Sequence, residues 1–325
     1  MKAIRVLQPG GPEVLAVEDL PTPEPAAGEI LVRLEAAGVN FIDVYQRSGL
    51  YPMPLPFTLG QEGAGVVERL GAGVATLAVG DRVAWSGPMG AYAEYAALPA
   101  ERVVRVPDGV SGAQAAAVML QGMTAHYLAC TAYPLGPGDT CLVHAAAGGV
   151  GLLLCQMARM RGARVIGTVG ADAKAPLARE AGAHEVINYR ATENVAHAVR
   201  QLTGGRGVQV VYDGIGQATF EASLTALAPR GMMVTFGNAS GPVPAFEPLK
   251  LSQKGSLFLT RPKLADYIAT RAELEQRSGE VLGWVRDGAL RLWIWKEYPL
   301  CSAAEAHRAL ESRQTTGKLL LLPAA

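Results

Sequence analysis

The sequence predicts an α/β protein in which a β-rich part precedes a doubly wound parallel sheet. Two observations predict this class. From Thr140 onward, short apolar strands alternate with segments of helical length, which is typical of a parallel sheet covered by helices. Before residue 110, short strands separated by glycine and proline turns indicate a small barrel-like domain.

Length and composition support this organisation. The 325 residues exceed the size at which one hydrophobic core usually divides, so we expect about two domains. Half of the residues are apolar and 18% are charged, which supports a large core and excludes a disordered chain. The 29 basic residues balance the 29 acidic ones without forming a basic tract, which argues against a general nucleic-acid binder.

The sequence also carries information on compartment and redox state. The first residues lack the apolar core of a signal peptide, and no apolar run approaches the roughly 18 residues of a membrane helix. We therefore expect a cytoplasmic protein without membrane insertion. The four cysteines are scattered without C-x-x-C spacing, so neither disulfides nor a zinc cluster is expected.

The N-terminal part is predicted to contain five strands and a short helix. The strands are Lys2–Leu7, Val14–Asp19, a segment in which Ile30, Val32 and Leu34 alternate with polar residues, Gly63–Leu70 and Asp81–Trp85. Asn40–Arg47 is predicted to form one or two helical turns with Asn40 as N-cap. A helical region runs from Ser111 to about Ala132, and we place the domain boundary near residue 124.

The following part supplies the parallel sheet. Its predicted strands are Thr140–Ala145, Arg164–Val169, Glu185–Asn188, Val208–Asp213, Gly231–Phe236 and Ser256–Thr260. Beyond them we expect one long helix over Asp266–Gly288, a strand at Arg291–Tyr298, a helix at Ser302–Arg313 and a last strand at Lys318–Leu322.

The first strand of this sheet leads into a glycine-rich turn. The segment 140–151 reads TCLVHAAAGGVG, so that Ala146, Gly148 and Gly151 occupy the glycine positions of the G-x-G-x-x-G fingerprint. The middle glycine lets the backbone approach a pyrophosphate, and the last one lets the helix pack closely on the strand. The N-terminus of that helix offers N–H groups to the phosphates, so the turn predicts a dinucleotide site.

The tip of the second strand indicates which dinucleotide fits. An NAD site usually has an acidic residue there, whereas this chain reads Thr168-Val169-Gly170. Lys174 follows a few residues later and could pair with a 2′-phosphate, with Tyr189 nearby. We therefore expect NADPH rather than NADH, although Asp172 could reach the ribose.

Other common chemistries find little support. The five histidines show no close ligand pairing, and no G-x-S-x-G nucleophile elbow is present. His144, at the end of a buried strand, is interpreted as a satisfied core residue rather than a base. No acid/base pair stands out among the carboxylates.

The motifs, taken together, resemble the medium-chain dehydrogenase/reductase superfamily and, within it, the zinc-independent NADPH:quinone oxidoreductases of the zeta-crystallin-like branch. The resemblance covers essentially the whole chain. It rests on GGPEVL (10–15), AAGVNFIDVYQRSGLY (36–51), GQEGAGVVERLGAGV (60–74), GDRV (80–83), GAYAEY (90–95), AAAGGVG (145–151), NYR (188–190), TFGNASG (235–241), TRP (260–262) and TGKLLLL (316–322). It implies a GroES-like catalytic domain over residues 1–124 and 264–325 and a Rossmann NADPH-binding domain over 125–263. It also implies a homodimer formed through the edge strand 256–260.

Departures from the zinc-dependent members of this superfamily are informative. The resemblance places Asn40 where those enzymes have a cysteine ligand and Gln61 where they have a histidine ligand, and their four-cysteine lobe is absent. Because zinc prefers thiolate and imidazole ligands, we expect no metal.

The resemblance also implies site residues, position by position. The cofactor contacts would be Asn40, Tyr45, Gly148, Gly149, Val150, Gly151, Gly170, Lys174, Tyr189, Phe236, Gly237, Asn238, Ser240, Thr260, Arg261 and Arg313. Arg313 would clamp a phosphate, since a guanidinium matches it bidentately. The substrate pocket candidates are Asn40, Tyr45, Tyr51 and Gln61, without a clear catalytic residue among them.

The resulting hypothesis is hydride or stepwise electron transfer from NADPH to a quinone lying between Tyr45, Tyr51 and the nicotinamide. A quinone needs little activation because its product is aromatic, so proximity and a hydrogen bond from Asn40, Gln61 or a tyrosine would suffice. One alternative is a zinc-free reductase of enones or enoyl thioesters, which would need carbonyl polarisation and protonation at carbon. Another is a non-catalytic NADPH-binding protein with a structural or RNA-binding role.

Overall fold

The computed structural model describes residues 1–323, which divide into two compact units. Unit 1 comprises Met1–Met123 and the chain from Ile268 onward, and unit 2 comprises Thr124–Tyr267. No helix in the described range is long and apolar enough to cross a membrane.

Unit 1 is built mainly from antiparallel strands. Its N-terminal strands are β1 (Lys2–Val6), β2 (Leu15–Asp19), β3 (Glu29–Val39), β4 (Phe57–Thr58), β5 (Glu62–Leu70), β6 (Arg82–Ser86), β7 (Tyr95–Pro99) and β8 (Val103–Arg105). The helices of this part are α1 (Phe41–Arg47) and α2 (Gly112–Tyr127). The central strand β3 is long, because apolar residues continue along it, and it pairs with both β5 and β7.

Unit 2 contains the parallel sheet. Its strands are β9 (Thr140–Val143), β10 (Arg164–Val169), β11 (Glu185–Asn188), β12 (Val208–Asp213), β13 (Leu227–Thr235) and β14 (Phe258–Thr260). Its helices are α3 (Gly149–Met160), α4 (Ala175–Glu180), α5 (Val195–Leu202), α6 (Phe220–Ala226), α7 (Leu249–Gln253) and α8 (Leu264–Tyr267). The strand order β11-β10-β9-β12-β13-β14 is that of a doubly wound dinucleotide-binding sheet, which confirms the predicted fold class.

The last part of the chain belongs to unit 1. It contains α9 (Arg271–Arg286), β15 (Ile294–Pro299), α10 (Ala303–Glu311) and β16 (Lys318–Leu322). Strand β16 runs antiparallel to β3, with Leu320 opposite Gly38, and β15 lies parallel to β16 on its other side. The first residue of β16, Lys318, is thereby brought into the interior of unit 1.

Each unit has its own hydrophobic core. In unit 1, Ile4, Leu34, Trp85 and Leu321 belong to a cluster packed between the strands. In unit 2, a buried cluster on the parallel sheet includes Leu142, Ile166, Val211 and Met233. These residues come from neighbouring strands, which explains why the unit 2 strands read as short apolar runs.

Two predicted helical segments differ in the structure. The expected long helix over Asp266–Gly288 is wrong, because the chain forms α8 and then a separate α9. Thr270 and Glu273 form a capping box that starts α9: Thr270 Oγ1 accepts the Glu273 N–H, and the Glu273 carboxylate accepts the Thr270 N–H. The helix predicted to reach Ala132 becomes π-helical over Leu128–Ala132.

Candidate active site

The glycine-rich turn of unit 2 is shaped by close backbone approach. A Cβ on Gly151 would lie 2.2 Å from the Ala145 carbonyl oxygen, so only glycine fits at this position in the first turn of α3. Ala145 itself has a positive φ of 50°, and the Gly148 N–H donates to its carbonyl. Helix α3 begins at Gly149 without a side-chain cap. Its first N–H groups can therefore serve a phosphate, as the fingerprint predicts.

The loops after β12 and β13 form one hydrogen-bonded substructure. Ser240 donates its backbone N–H to the Ile215 carbonyl over 2.8 Å, and Phe236 donates its N–H to the Asp213 carbonyl over 2.8 Å. A Cβ on Gly237 would lie 2.3 Å from the Gly214 carbonyl oxygen, so the two loops touch at that glycine. The predicted contacts Phe236, Gly237, Asn238 and Ser240 all lie on this substructure.

A buried polar network is hydrogen-bonded to the loop after β12. Asp213 accepts four hydrogen bonds, from the N–H groups of Ile215 and Gly216 and from the hydroxyls of Thr219 and Ser223. His144 Nε2 lies 3.0 Å from Ser223 Oγ, and its Nδ1 lies 3.0 Å from the Thr168 hydroxyl. Because Ser223 donates to Asp213, Nε2 of His144 must carry the proton.

His144 is therefore a satisfied core residue, in line with its interpretation from sequence. It is 5% exposed, and burial lowers the pKa of its imidazole. A neutral ring engaged at both nitrogens has no capacity left to act as a base. We refer to Asp213, Ser223, His144, Thr168 and Thr219 as the hydroxyl network.

The tip of β10 has the features of a phosphate site. A Cβ on Gly170 would lie 2.5 Å from the Tyr189 hydroxyl oxygen, so the tyrosine packs directly over this glycine. Lys174 lies nearby, and its pKa is lowered by burial and by the positive charge of Arg190. Asp172 accepts a 2.9 Å hydrogen bond from Asn188, which engages its carboxylate within the protein.

Arg190 was not in the set of residues predicted to bind the cofactor. The only sequence signal was its place directly after Tyr189 in the NYR motif. Its positive charge contributes to the lowered pKa of Lys174, so this region carries two cations. Two positive charges and a glycine cradle fit the 2′-phosphate of NADPH better than a bare ribose.

The remaining unit 2 contacts lie at the same edge of the sheet. Thr260 ends β14, where it pairs with Val234 of β13, and Arg261 follows it. All six strands run parallel, so the segments after their last residues meet at one edge. The cofactor contacts predicted within residues 148–261 all lie on these segments or on the last residue of a strand.

In unit 1, the predicted residue Asn40 is held from all sides. It occupies the N-cap position of α1 and is 3% exposed. Its Oδ1 accepts hydrogen bonds from Lys318 Nζ (2.8 Å) and Gln121 Nε2 (3.1 Å). Its Nδ2 donates to Glu62 Oε2 (2.8 Å) and to the Gly38 carbonyl (3.3 Å). All four hydrogen-bonding positions of the amide are therefore occupied within unit 1.

The other predicted pocket residues of unit 1 lie near Asn40 along the chain. Tyr45, on α1, is 8% exposed, and its ring meets that of Tyr51 edge-to-face at 5.2 Å. The Tyr51 N–H donates to the Tyr45 carbonyl over 2.9 Å, which fixes the loop after α1. Gln61 is half-buried, and its side-chain amide makes no hydrogen bond with any described residue. It differs in this respect from the saturated amide of Asn40.

Arg313 follows α10 in an unusual conformation. Its φ is 61°, the left-handed region that a non-glycine residue rarely adopts, and its side chain is exposed. Such a residue at a helix end turns the chain toward the next strand.

A second buried network in unit 1 was not predicted. Arg47 donates to His307 Nδ1 (3.0 Å), His307 Nε2 lies 3.2 Å from the Tyr92 hydroxyl, and Tyr92 donates to Asp43 Oδ2 (2.9 Å). Arg47 also forms a bidentate ion pair with Glu311. Burial raises the pKa of Asp43 to about 7 and lowers that of His307 to about 3.

We call Asn40, Glu62, Lys318, Asp43, Tyr92, His307 and Arg47 the charged network. Its members are separated by up to 278 residues, so no local pattern could have joined them. The one available signal was a charged residue within an apolar strand, such as Lys318 before four leucines. Among the described residues, no group of three or more His, Cys, Asp or Glu side chains could hold a metal ion.

Comparison with known proteins adds to this geometry. The model of the alcohol dehydrogenase GroES-like domain matches residues 26–108, and that of the zinc-binding dehydrogenase matches residues 149–275. A quinone oxidoreductase of Pseudomonas aeruginosa is 50% identical, with 99% of both chains covered. A 2-haloacrylate reductase of a Burkholderia species is 43% identical, with 97% of both chains covered. The solved structure of Escherichia coli quinone oxidoreductase complexed with NADPH has a TM-score of 0.97 at 45% identity, covering 99% of this chain and 100% of that one.

Proposed function

Because this chain belongs to the quinone oxidoreductase family of medium-chain dehydrogenases/reductases, we propose that it reduces quinones with NADPH. The observation that carries the cofactor assignment is the tip of β10, where Tyr189 packs over Gly170, no acidic residue ends the strand, and Lys174 follows with the charge of Arg190 acting on it. The E. coli relative was solved with NADPH, which supports the same assignment.

Unit 2 would hold the dinucleotide. The N–H groups of Gly149, Val150 and Gly151 would bind the pyrophosphate at the start of α3. The side chains of Lys174, Tyr189 and Arg190 would bind the 2′-phosphate. The loop formed by Phe236, Gly237, Asn238 and Ser240, with Thr260 and Arg261 beside it, would orient the nicotinamide half. Bound NADPH supplies a hydride.

Unit 1 would bind the acceptor. Tyr45 and Tyr51 offer aromatic surface for a flat quinone ring, which they would orient by stacking and edge contacts. Gln61 has an uncommitted amide N–H that would donate to a quinone carbonyl, where negative charge develops as the ring is reduced. Water would supply the proton that completes the hydroquinone. Asn40 would act through its position, because its amide is fully hydrogen-bonded within the protein.

The test compares cofactors and acceptors with purified protein in the presence of a chelator. Oxidation of NADPH and NADH is followed with 1,4-benzoquinone, 9,10-phenanthrenequinone, an enone, 2-chloroacrylate and no acceptor. We expect fast quinone-dependent oxidation of NADPH and much slower turnover with the two activated alkenes. Turnover of 2-chloroacrylate above that of both quinones would instead assign the chain to the chemistry named for its Burkholderia relative.

A matched pair of variants tests the 2′-phosphate site. Lys174→Met is expected to raise the KM for NADPH on the order of 10-fold to 100-fold, since a charge-assisted hydrogen bond is lost, and to leave that for NADH unchanged. Lys250→Met makes the same replacement at an exposed lysine paired with Glu221 and should change neither value. Equal KM values for NADPH in the Lys174 and Lys250 variants would contradict the assignment.

We further propose a cytoplasmic homodimer that pairs through the edge strand of the parallel sheet. Strand β14 is the last strand on its side, and Phe258 on it is 57% exposed. An unpaired edge strand with an exposed aromatic residue readily pairs with a second copy. Light scattering should report a dimer for the natural chain and a monomer for Phe258→Lys, and a monomeric natural chain would exclude this interface.

A further inference from the structure

A buried ion pair lies beneath Asn40. Lys318 Nζ and Glu62 Oε2 are 2.5 Å apart, and the side chains are 3% and 0% exposed. Removing two charges from water is costly, and a well-packed apolar pair would often be at least as stable. The contribution of this ion pair to stability therefore does not by itself explain why two charged residues are buried there.

The surrounding chain is shaped to admit this pair. A Cβ on Gly38 would lie 2.1 Å from Glu62 Oε2 and 2.7 Å from the Ala116 carbonyl oxygen, so glycine is needed there. The other carboxylate oxygen of Glu62 accepts the Leu120 backbone N–H over 2.5 Å. Every oxygen of the carboxylate is thus committed, and segments from β3, β5, α2 and β16 meet on it.

The ion pair of Lys318 and Glu62 binds the side chain of Asn40, the residue at which α1 begins. Lys318 donates to the oxygen of the Asn40 amide, and Glu62 accepts from its nitrogen. Asn40 begins α1, which carries Tyr45, and Gln61 directly precedes Glu62 at the start of β5. A shift of this pair would therefore move the backbone of two acceptor-binding candidates at once.

We propose that Glu62 and Lys318 are positioning residues of the reaction: their buried ion pair orients Asn40 and thereby places Tyr45 and Gln61 for the acceptor. The inference rests on the proposed function for its kinetic consequence. Neither residue touches substrate or cofactor in this assignment. Their effect passes through the Asn40 amide and the first turn of α1.

Two substitutions at one position separate charge from packing. Methionine is close to lysine in volume but lacks the cation, whereas arginine is larger and keeps it. If Lys318 only fills space, Lys318→Met should be tolerated better than Lys318→Arg. If its hydrogen bonds to Glu62 and Asn40 position the pocket, Lys318→Arg should retain more activity. Glu62→Gln also removes the buried ion pair, from the side of the carboxylate and without a change in side-chain size.

The experiment measures kcat per folded molecule, together with hydrogen exchange of the segment 38–51. We expect Lys318→Met and Glu62→Gln to lower kcat with 1,4-benzoquinone on the order of 10-fold to 100-fold, the range expected when reacting groups are displaced by about 1 Å. Exchange in 38–51 should accelerate, while the glycine turn of unit 2 stays unchanged. Lys250→Met serves as the control for the replacement itself.

The outcomes distinguish the two proposals. Lower thermal stability with unchanged kcat and unchanged exchange in 38–51 would overturn the positioning role, as would an arginine variant less active than the methionine variant. A natural chain without quinone turnover would overturn the proposed function instead. In that case the exchange measurement still decides whether the pair holds the start of α1.

Discussion

Each of the two units buries a polar network, and the two networks are of different kinds. The hydroxyl network of unit 2 contains one carboxylate, Asp213, which accepts four hydrogen bonds, and a neutral histidine engaged at both nitrogens. The charged network of unit 1 contains two carboxylates, a lysine and an arginine. One oxygen of its Asp43, Oδ1, is buried without a hydrogen-bond partner.

This difference predicts how each network responds when one of its members is substituted. In the hydroxyl network, Asp213 accepts four hydrogen bonds, so the loss of one donor leaves three in place. In the charged network, opposite charges compensate each other where both are buried, so the loss of one exposes the other to the full desolvation cost. The charged network should therefore be the more fragile and the more sensitive to pH.

The largest expected effect is the loss of the Lys318 cation. Lys318→Met leaves Glu62 buried without its counter-charge and should lower the free energy of unfolding by about 3–5 kcal/mol. The loss can be measured by urea unfolding of unit 1, followed by tryptophan fluorescence, since all four tryptophans of the chain lie in this unit. A loss smaller than that caused by Ser223→Ala would contradict the contrast between the networks.

The next effect is a pair of opposed pH dependences within the charged network. Asp43 has a folded-state pKa of about 7 against an ordinary value of 3.8, so its stabilising contribution is present below pH 4 and lost as the pH rises to 7. His307 has a folded-state pKa of about 3 against 6.5, so its contribution is present above pH 6.5 and lost as the pH falls to 3. Between about pH 4 and 6.5 the two slopes cancel.

Single substitutions should reveal each slope. His307→Gln leaves Asp43 alone, so the stability should fall with rising pH across this window by about 1.4 kcal/mol per pH unit at most. Asp43→Asn leaves His307 alone, so the stability should rise with pH by the same amount. Thermal midpoints measured every half unit, as differences from the natural chain, report both slopes. Slopes of the same sign would show that the two groups are not opposed.

A smaller effect is expected in the hydroxyl network. Ser223→Ala removes one donor to Asp213 and the acceptor of His144, but Asp213 keeps three hydrogen bonds. We expect a loss of about 1–3 kcal/mol in unfolding free energy and little change in the quinone KM. The dissociation constant of NADPH, measured by fluorescence titration, should rise, because the loop at 214–216 is held by Asp213. An unchanged constant would mean that the loop is fixed by its backbone bonds alone.

The smallest effect provides the baseline for all of these. Lys250→Met breaks an exposed ion pair with Glu221, whose side chains are 40% and 58% exposed. Solvent screening should limit the change in stability to less than about 1 kcal/mol. A larger loss at this surface position would mean that the lysine-to-methionine replacement itself, rather than burial of the charge, dominates the Lys318 result.

Local pattern predicted most of unit 2. The strands Arg164–Val169, Glu185–Asn188 and Val208–Asp213 were predicted with the bounds that the structure has. They are short apolar runs that end at a change to glycine or polar residues, and burial on both faces of a parallel sheet produces this pattern. The glycine turn, Gly170 and Lys174 were predicted as cofactor contacts on similar grounds, because each prediction depends on neighbours within about a dozen residues.

The fold class and the local shapes that a dinucleotide requires were therefore predictable from periodicity and from where only glycine fits, and the family was predictable from its motifs. Which polar side chains are already hydrogen-bonded within the protein, and which can still bind a ligand, became known from the tertiary structure. It saturated the Asn40 amide, left that of Gln61 uncommitted, placed Arg190 beside Lys174, and joined Glu62 to Lys318 across 256 residues. Hydrogen bonds and buried ion pairs of this kind join segments that are far apart in the sequence. A local sequence pattern cannot predict which of these segments contact each other.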